Sequence, residues 1–367
     1  METPNKTTLI IDGNWLLMSR LGLVKDSFHI SSTPEQLMAA KNDMVDFVAQ
    51  SINKAINFWA DNIDNIIMVQ DGGSWRKDLP RPKLYTETYK GNRISEDDIA
   101  WDYIWMALSD ICKAFETNHI MCVTEHSIEG DDWCWYWSRY LNRMGTNAII
   151  WTSDADLKQL VQKDEVTGAW TIWFNDRAGL VVHECFNRTE MDLLMNWETK
   201  DGLLENACRR CTNVTWLNPD DIVMEKVVCG DSGDNIKSLL RYETVNRHGS
   251  TMVRSVSAKE WAKVKADLGI QSFEQFEASK QLIISNLRAL PRFEKYEGHT
   301  EDLVDMFDFN VKLVRLHKDQ IPKEQASIMN SHRTDYVVAD LAYLRNNYKV
   351  LACPNQVVED LFKDVPF

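Results

Sequence analysis

Residues 7–14 read Thr-Thr-Leu-Ile-Ile-Asp-Gly-Asn (TTLIIDGN), a short apolar run stopped by an acid. Thr7–Ile11 has the length and β-branched content of a buried strand, and Asp12 stands where that strand ends. The pattern returns twice. Ile66–Val69 runs into Asp71 within IIMVQDGG, and Ala148–Trp151 runs into Asp154 within WTSDAD. Helical segments separate the strands. Thr33-Pro34-Glu35-Gln36 is a helix start, with Pro at the first position and Gln in capping-box register. Leu37, Val45, Val48, Ile52, Ile56 and Trp59 then mark one long helical face. Trp101 to Ala114 reads as helix and His119–Val123 as strand. A helix is expected from Gly130 to about Met144, and another from Asp154 to about Gln162. Trp170–Phe174 and Leu180–His183 read as a hairpin or two late strands. This alternation predicts an α/β fold, with a mainly parallel central sheet and helices on both faces.

The rest of the chain reads differently. Beyond about residue 200 it is expected to be mostly helical, with helices from Asn218-Pro219 to about Cys229, from Ala258, from Phe273 and from about Thr300. Residues 322–367 are mixed in pattern. The expected division is an α/β domain over 1–200 and a mostly helical region over 201–367.

Composition narrows the class. The 367 residues are 44% hydrophobic and 26% charged, as in soluble globular proteins. The net charge of −14 argues against a nonspecific nucleic-acid binder. Nine clustered acids supply most of that excess, however. The N-terminus METPNKTTLI lacks the pattern of a signal peptide, and no run approaches a membrane span. The eight Cys form no regular framework and read as reduced thiols, so a cytoplasmic location is expected.

The nine acids are the chemistry of this sequence. They are Asp12, Asp71, the Glu129–Asp131–Asp132 group of IEGDD, Asp154 and Asp156 of TSDAD, and Asp231 and Asp234 of GDSGDN. Each cluster lies where a strand ends or a helix begins. Ligands in parallel α/β sheets gather at the carboxyl ends of strands, and a helix start favours negative charge. Acids gathered there repel one another unless cations neutralise them. Oxygen ligands without His or Cys point to Mg²⁺ or Mn²⁺, and a phosphodiester is the natural substrate for such a site. For any single Asp the plain reading is an N-cap or turn residue.

The ordered set LIIDGN, QDGG-x-WR, YKGNR, EGDD, TSDADLKQLV and GDSGDN resembles the 5′-nuclease superfamily. That family comprises flap endonucleases, phage 5′ exonucleases and the T-even phage ribonuclease H. The motifs run in family order from residue 8 to about 236. The resemblance implies two Mg²⁺ sites, with Mn²⁺ as a substitute. Asp12, Asp71, Glu129, Asp131 and Asp132 would serve the first, and Asp154, Asp156, Asp231 and Asp234 the second.

A basic segment lies between the second and third acid clusters: Arg76, Lys77, Arg81, Lys83, Lys90 and Arg93. Its plain reading is a solvated face. Beside an acidic site it also supplies the cations that a phosphodiester needs on approach. Tyr85 and Tyr89 are expected to stack on an unpaired base. The resemblance assigns Lys90 to the scissile phosphate, with Arg93 assisting. It places the segment at the foot of a helical arch that would span about 76–117, with Ser95–Asp110 as part of it. Trp101 and Trp105 share a helix face there and are expected to pack rather than touch bases.

After GDSGDN the sequence departs from the family. Relatives carry a glycine-containing helix–turn–helix that grips duplex phosphates, whereas this chain reads IKSLLRYETVNRHGSTMVRSVSAKEW with Gly249 alone. Lys237, Arg241, Arg247 and Arg254 are the cations left for that task. Cys208-x-x-Cys211, with His183 and Cys185 upstream, has zinc-type donors, but a lone CxxC reads more simply as incidental thiols. The deaminase pattern is not met and no Walker-type loop is present.

The reading is a free-standing metal-dependent 5′-nuclease. It would act on DNA with a free 5′ end or flap, or on an RNA–DNA hybrid such as a primer, in phage replication. The resemblance also admits replication proteins, such as a single-strand-binding protein, as partners of a monomer in the host cytoplasm. Two other readings stand beside it: a PIN-type endoribonuclease, and a non-catalytic replisome protein.

Overall fold

In the computed structural model, β1 (Thr7–Asp12) is an interior strand of a sheet ordered β3-β2-β1-β4-β6-β7-β8. The structure describes residues 6–59, 62–92, 97–186, 214–245, 248–294, 296 and 298–352. β2 (Asn65–Val69) and β4 (Asn147–Trp151) flank β1 in parallel, in registers that set Asp12 opposite Val69 and Ile11 opposite Trp151. β3 (Met121–Val123) and β6 (Trp170–Asn175) extend the parallel set outward. β7 (Gly179–His183) turns back antiparallel to β6 as the hairpin reading expects, and β8 (Val214–Leu217) runs parallel to β7. The two-residue β5 (Gln162–Lys163) pairs with the start of β6.

Both faces of β1, β2 and β4 are buried, which is why these strands read as unbroken apolar runs. Leu9, Ile11, Ile66, Met68, Ile149 and Trp151 share a core with α1 (Gly13–Val24), α2 (Pro34–Trp59) and α3 (Trp101–Thr117). The alternate residues Ile10, Ile67 and Ile150 are equally buried on the face where α4 (Gly130–Arg143) packs. The start of α2 is the expected capping box: Gln36 accepts from the Thr33 N–H at 2.9 Å, and Thr33 Oγ1 accepts from the Gln36 N–H at 3.3 Å.

The chain divides into two units that interleave in sequence. The first is 1–73, 96–217 and 322–367; the second is 74–95 and 218–321. The expected boundary near residue 200 falls in 187–213, outside the described residues. Residues 322–352 are not an appendage but part of the first unit. Ala339, Leu341, Leu344 and Leu351 enter its core, and the Asn65 side chain bonds the Val337 carbonyl at 2.8 Å and the Ala339 N–H at 2.9 Å. On α4, Trp133 meets His332 edge-on and Trp137 stacks on Tyr336.

The second unit has its own core, built on Val223, Met224, Val227, Trp261, Phe273, Phe276, Phe307 and Val311. Its helices begin at Pro219, Ala258, Phe273 and Thr300, as expected from sequence. The divergent stretch after Asp234 is the correction. It forms an antiparallel hairpin, β9 (Arg241–Val245) with β10 (Thr251–Ser255). Among the described residues, no helix is long and apolar enough to cross a membrane.

Two further expectations change. Residues 154–162 do not form an α-helix. Thr152 Oγ1 accepts from the Asp154 N–H at 3.0 Å, and Asp154 Oδ1 accepts from the Asp156 N–H at 2.8 Å. These side-chain bonds compete with helical ones, so only a 3₁₀ turn follows, Asp156–Leu160, before β5. The segment expected to form an arch also packs down where it is described. α3 buries Ile104, Ala107, Leu108, Ile111 and Phe115 against the first unit, and its Asp110 pairs with Lys41 of α2. Trp101 and Trp105 stack on one another, and Trp105 stays 45% exposed.

Candidate metal centre

Strand order places the first acids. β2 lies on one side of β1 and β4 on the other, so the chain direction of the sheet switches at β1. At such a point the connections leave to opposite sides and open a crevice at the strands' carboxyl ends. Asp12, Asp71 and Asp154 follow β1, β2 and β4 at that edge.

Each carboxylate is held by main-chain or hydroxyl donors. Asp12 is the N-cap of α1: its Oδ1 accepts from the Trp15 N–H at 2.9 Å, and its Oδ2 from the Thr152 hydroxyl at 2.8 Å. Asp71 Oδ1 accepts from the Gly130 N–H at 2.6 Å, at the start of α4. The Asn14 side chain accepts from the Asp71 N–H at 3.1 Å. Gly72 is obligatory here, because a Cβ would lie 1.7 Å from the Glu125 carbonyl oxygen. Glu129 is buried at the N-cap of α4, and Asp131 and Asp132 lie in its first turn, where the helix dipole favours negative charge.

The acids feel one another. Burial pushes the Asp12 carboxyl up to about 7, and the charges of Asp71 and Asp154 push the same way against the bonds from Trp15 and Thr152. The Cys134 thiol of α4 is raised well above its ordinary range, first by burial and then by Asp12, Asp131, Asp71 and Asp154. One buried thiol thus registers the charge of four acids. Among the described residues, no three Asp, Glu, His or Cys side chains are already grouped as a ligand set. The donor chemistry nonetheless fits a hard divalent cation: the acids here are oxygen donors, and a cation would offset the buried negative charge of Asp12 and its neighbours.

The raised Asp12 carboxyl, buried first and repelled second, gives a pH-dependent stability. A folded-state carboxyl near 7, against the ordinary 3.8, means the folded protein binds the proton more tightly than the unfolded chain. Stability contributed by protonated Asp12 is therefore lost as pH rises from about 4 through 7. Asn keeps the N-cap without the charge. In EDTA, Asp12→Asn is expected to raise Tm at pH 8 and to leave it unchanged near pH 4. Equal Tm values at pH 8 would show that the buried Asp12 charge costs the fold nothing.

The second unit holds the other acids. The loop 230–236 closes on itself, with Asp231 and Ile236 exchanging main-chain bonds at 2.8 and 2.7 Å. Gly230 has φ +80°, and a Cβ there would meet the Ser238 nitrogen at 2.5 Å. Burial works to raise the Asp231 carboxyl, but the Lys226 ammonium and the N–H groups of Gly233 and Asp234 outweigh it and hold it below the ordinary range.

YKGNR docks on this loop, a juxtaposition that the sequence does not announce. Lys90 takes a left-handed backbone, φ +55°, and its N–H donates to the Asp234 carbonyl at 2.9 Å. Its ammonium lies 3.9 Å from Asp234 Oδ2, which also accepts from the Tyr89 hydroxyl at 3.1 Å. Asn92 donates to the Ser232 carbonyl at 2.7 Å, and Asn235 to the Thr88 carbonyl at 2.9 Å.

This docking overturns the base-stacking expectation. Tyr85 is 3% and Tyr89 5% exposed, so neither ring offers a face to a base. Tyr85 instead packs edge-on against Phe309 and donates to the Asn235 carbonyl at 2.7 Å. Arg76 is also withdrawn from the basic surface: it is buried against the Trp75 ring. Lys77, Arg81 and Lys83 are exposed, with Lys83 3.3 Å from Asp302. Lys237 pairs with Glu87, and Arg241 lies 3.9 Å from the same carboxylate. Arg93, Arg247, Cys208 and Cys211 lie outside the described residues.

A mostly parallel sheet with acids at the carboxyl ends of its strands, and a second, mostly helical unit, is a fold shared with known proteins. Two solved structures carry the likeness. A bacteriophage T5 protein co-crystallised with metal ions matches at TM-score 0.52 and 15% identity, covering 90% of this chain and 98% of its own. A bacteriophage T5 flap endonuclease variant, in a pseudo-enzyme–product complex with DNA and metal ions, matches at TM-score 0.50 and 14% identity, covering 95% and 99%. No family model and no curated protein matches the sequence.

Proposed function

We propose that this chain is a divalent-metal-dependent 5′-nuclease. In this reading it hydrolyses phosphodiester bonds of DNA or of an RNA–DNA hybrid, at a free 5′ end or a 5′ flap. The observation that carries the reading is the set of acids at the switch point of the sheet: burial raises both Asp12 and Cys134, and the charges of Asp71 and Asp154 push both the same way. The likeness to a phage endonuclease complexed with DNA and metal ions supports it. Asp12, Asp71, Glu129, Asp131 and Asp132 are the residues that would hold a first Mg²⁺. When bound, such an ion supplies Lewis acidity and a water of lowered pKa. The chain's own part is to hold the carboxylates on rigid donors: the Trp15 and Gly130 N–H groups and the Thr152 hydroxyl.

Asp231 and Asp234 are assigned by resemblance, with Asp154 and Asp156, to a second ion. A cation there competes with the Lys226 ammonium already paired to Asp231 and with Lys90 beside Asp234. Lys90 is proposed to neutralise charge on the scissile phosphate, and Lys77, Arg81 and Lys83 to attract the substrate backbone. Action in phage primer removal is part of the same proposal.

The test is an end-labelled panel of flap, nicked duplex, single strand and hybrid. Cleavage with Mg²⁺ or Mn²⁺, and none in EDTA, is expected. Streptavidin on a 5′-biotin flap should block cleavage that proceeds on the open flap and on a 3′-labelled control. Full activity in EDTA would end the metal reading. Degradation starting from 3′ ends would overturn the polarity.

A further inference from the structure

Thr152 is buried completely, yet its hydroxyl sits among charged groups. It donates to Asp12 Oδ2 at 2.8 Å and accepts from the Asp154 N–H at 3.0 Å. Its main chain is pinned on both sides: the Thr152 N–H donates to the Phe174 carbonyl at 3.1 Å, and its own carbonyl accepts from the Asn175 amide at 3.1 Å. The residue before it, Trp151, is in register with Ile11, the residue before Asp12. One hydroxyl therefore ties the acid that ends β1 to the acid that follows β4. It also opposes the burial that raises the Asp12 carboxyl.

We propose that Thr152 is a positioning residue: its hydroxyl fixes the Asp12 carboxylate relative to Asp154, and the affinity of the site for a divalent cation depends on it. The inference rests on the metal reading given under Proposed function. A hydroxyl can give one hydrogen bond and accept others, so it can serve a carboxylate and an N–H at once. Residues that orient metal-binding carboxylates typically carry about 10- to 100-fold in metal affinity.

Valine is the discriminating substitution, because it keeps the β-branched shape and removes only the hydroxyl. Metal binding is read directly, by Mn²⁺ paramagnetic resonance and by the Tm gain on adding Mg²⁺, apart from any cleavage assay. Thr152→Val is expected to raise the Mn²⁺ dissociation constant about 10- to 100-fold and to abolish most of the Tm gain. Cleavage at saturating Mn²⁺ should recover more than cleavage at limiting Mn²⁺. Thr152→Ser, which restores the hydroxyl, should bind the metal within about threefold of wild type. Thr152→Ala serves as a second deletion if the valine variant fails to fold by circular dichroism. Wild-type metal affinity in a folded Thr152→Val or Thr152→Ala protein overturns the positioning role while leaving the metal reading intact. Equal loss in the serine variant also overturns it, since packing rather than the hydroxyl would then be the cause. A wild-type protein that binds no Mn²⁺ sinks both this inference and the metal reading.

Discussion

Asp71→Asn and Asp154→Asn are each expected to lower turnover by several orders of magnitude while leaving the fold intact. The two substitutions test different supports. Asp71 takes its main-chain bond from Gly130, at the N-terminus of α4, through Oδ1. Asn can keep that bond with its carbonyl oxygen while losing the charge. Asp154 lies on the turn after β4, where its Oδ1 accepts from the Asp156 N–H, and Asn can again replace it. Little packing is removed in either case, so circular dichroism should be unchanged. What is lost is a formal charge in a set that would balance a divalent cation. Single-turnover rates across a Mg²⁺ titration provide the measurement. A variant within tenfold of wild type at saturating Mg²⁺ would remove that carboxylate from the site.

Lys90→Ala is expected to reduce the single-turnover rate about 10²–10³-fold, which corresponds to roughly 2.7–4 kcal/mol for one lost charge-stabilising donor. Two features aim this lysine. Its left-handed backbone is fixed by the N–H bond to the Asp234 carbonyl, and its ammonium lies near Asp234 Oδ2. An ammonium held in place beforehand stabilises developing charge without reorganising. The loss should therefore appear in the saturating rate. If only KM rises and the saturating rate stays, Lys90 attracts substrate and nothing more. Tyr89→Phe offers a graded companion, since it deletes only the hydroxyl that donates to Asp234.

The sheet and its acids were legible because their signals are local. An apolar run ending in Asp is visible at residues 7–12, 66–71 and 148–154, and parallel pairing brings those ends together. The helix starts at Thr33 and Asn218 were equally local, being side-chain caps followed by proline. The fate of Tyr85 and Tyr89 was not. An aromatic in a basic stretch suits a base or a core equally well, and only the return of the chain at Asp234 and Phe309 decides. The β9–β10 hairpin was missed because its strands are largely exposed, so hydrophobic alternation is weak there. Thr152 had a usable signal: a Thr two residues before Asp marks a side-chain turn. Its bond to Asp12, 140 positions away, had none.

The late return of residues 322–352 has a consequence for how this molecule is made. A ribosome delivers β1, β2 and α4 early, but the partners of the Asn65 amide, Val337 and Ala339, emerge only after 218–321 has been synthesised. The nascent first unit must therefore wait with Trp133 and Trp137 uncovered by His332 and Tyr336. Domains generally mature as units during translation. Here the vectorial order is inverted: the second unit, whose later segment is finished at Ile321, has all its residues before the first. A premature stop between 321 and 337 would release a chain that has every strand of its sheet and all nine acids but lacks Ala339, Leu341, Leu344 and Leu351 of its core, and such a fragment is expected to be held by chaperones.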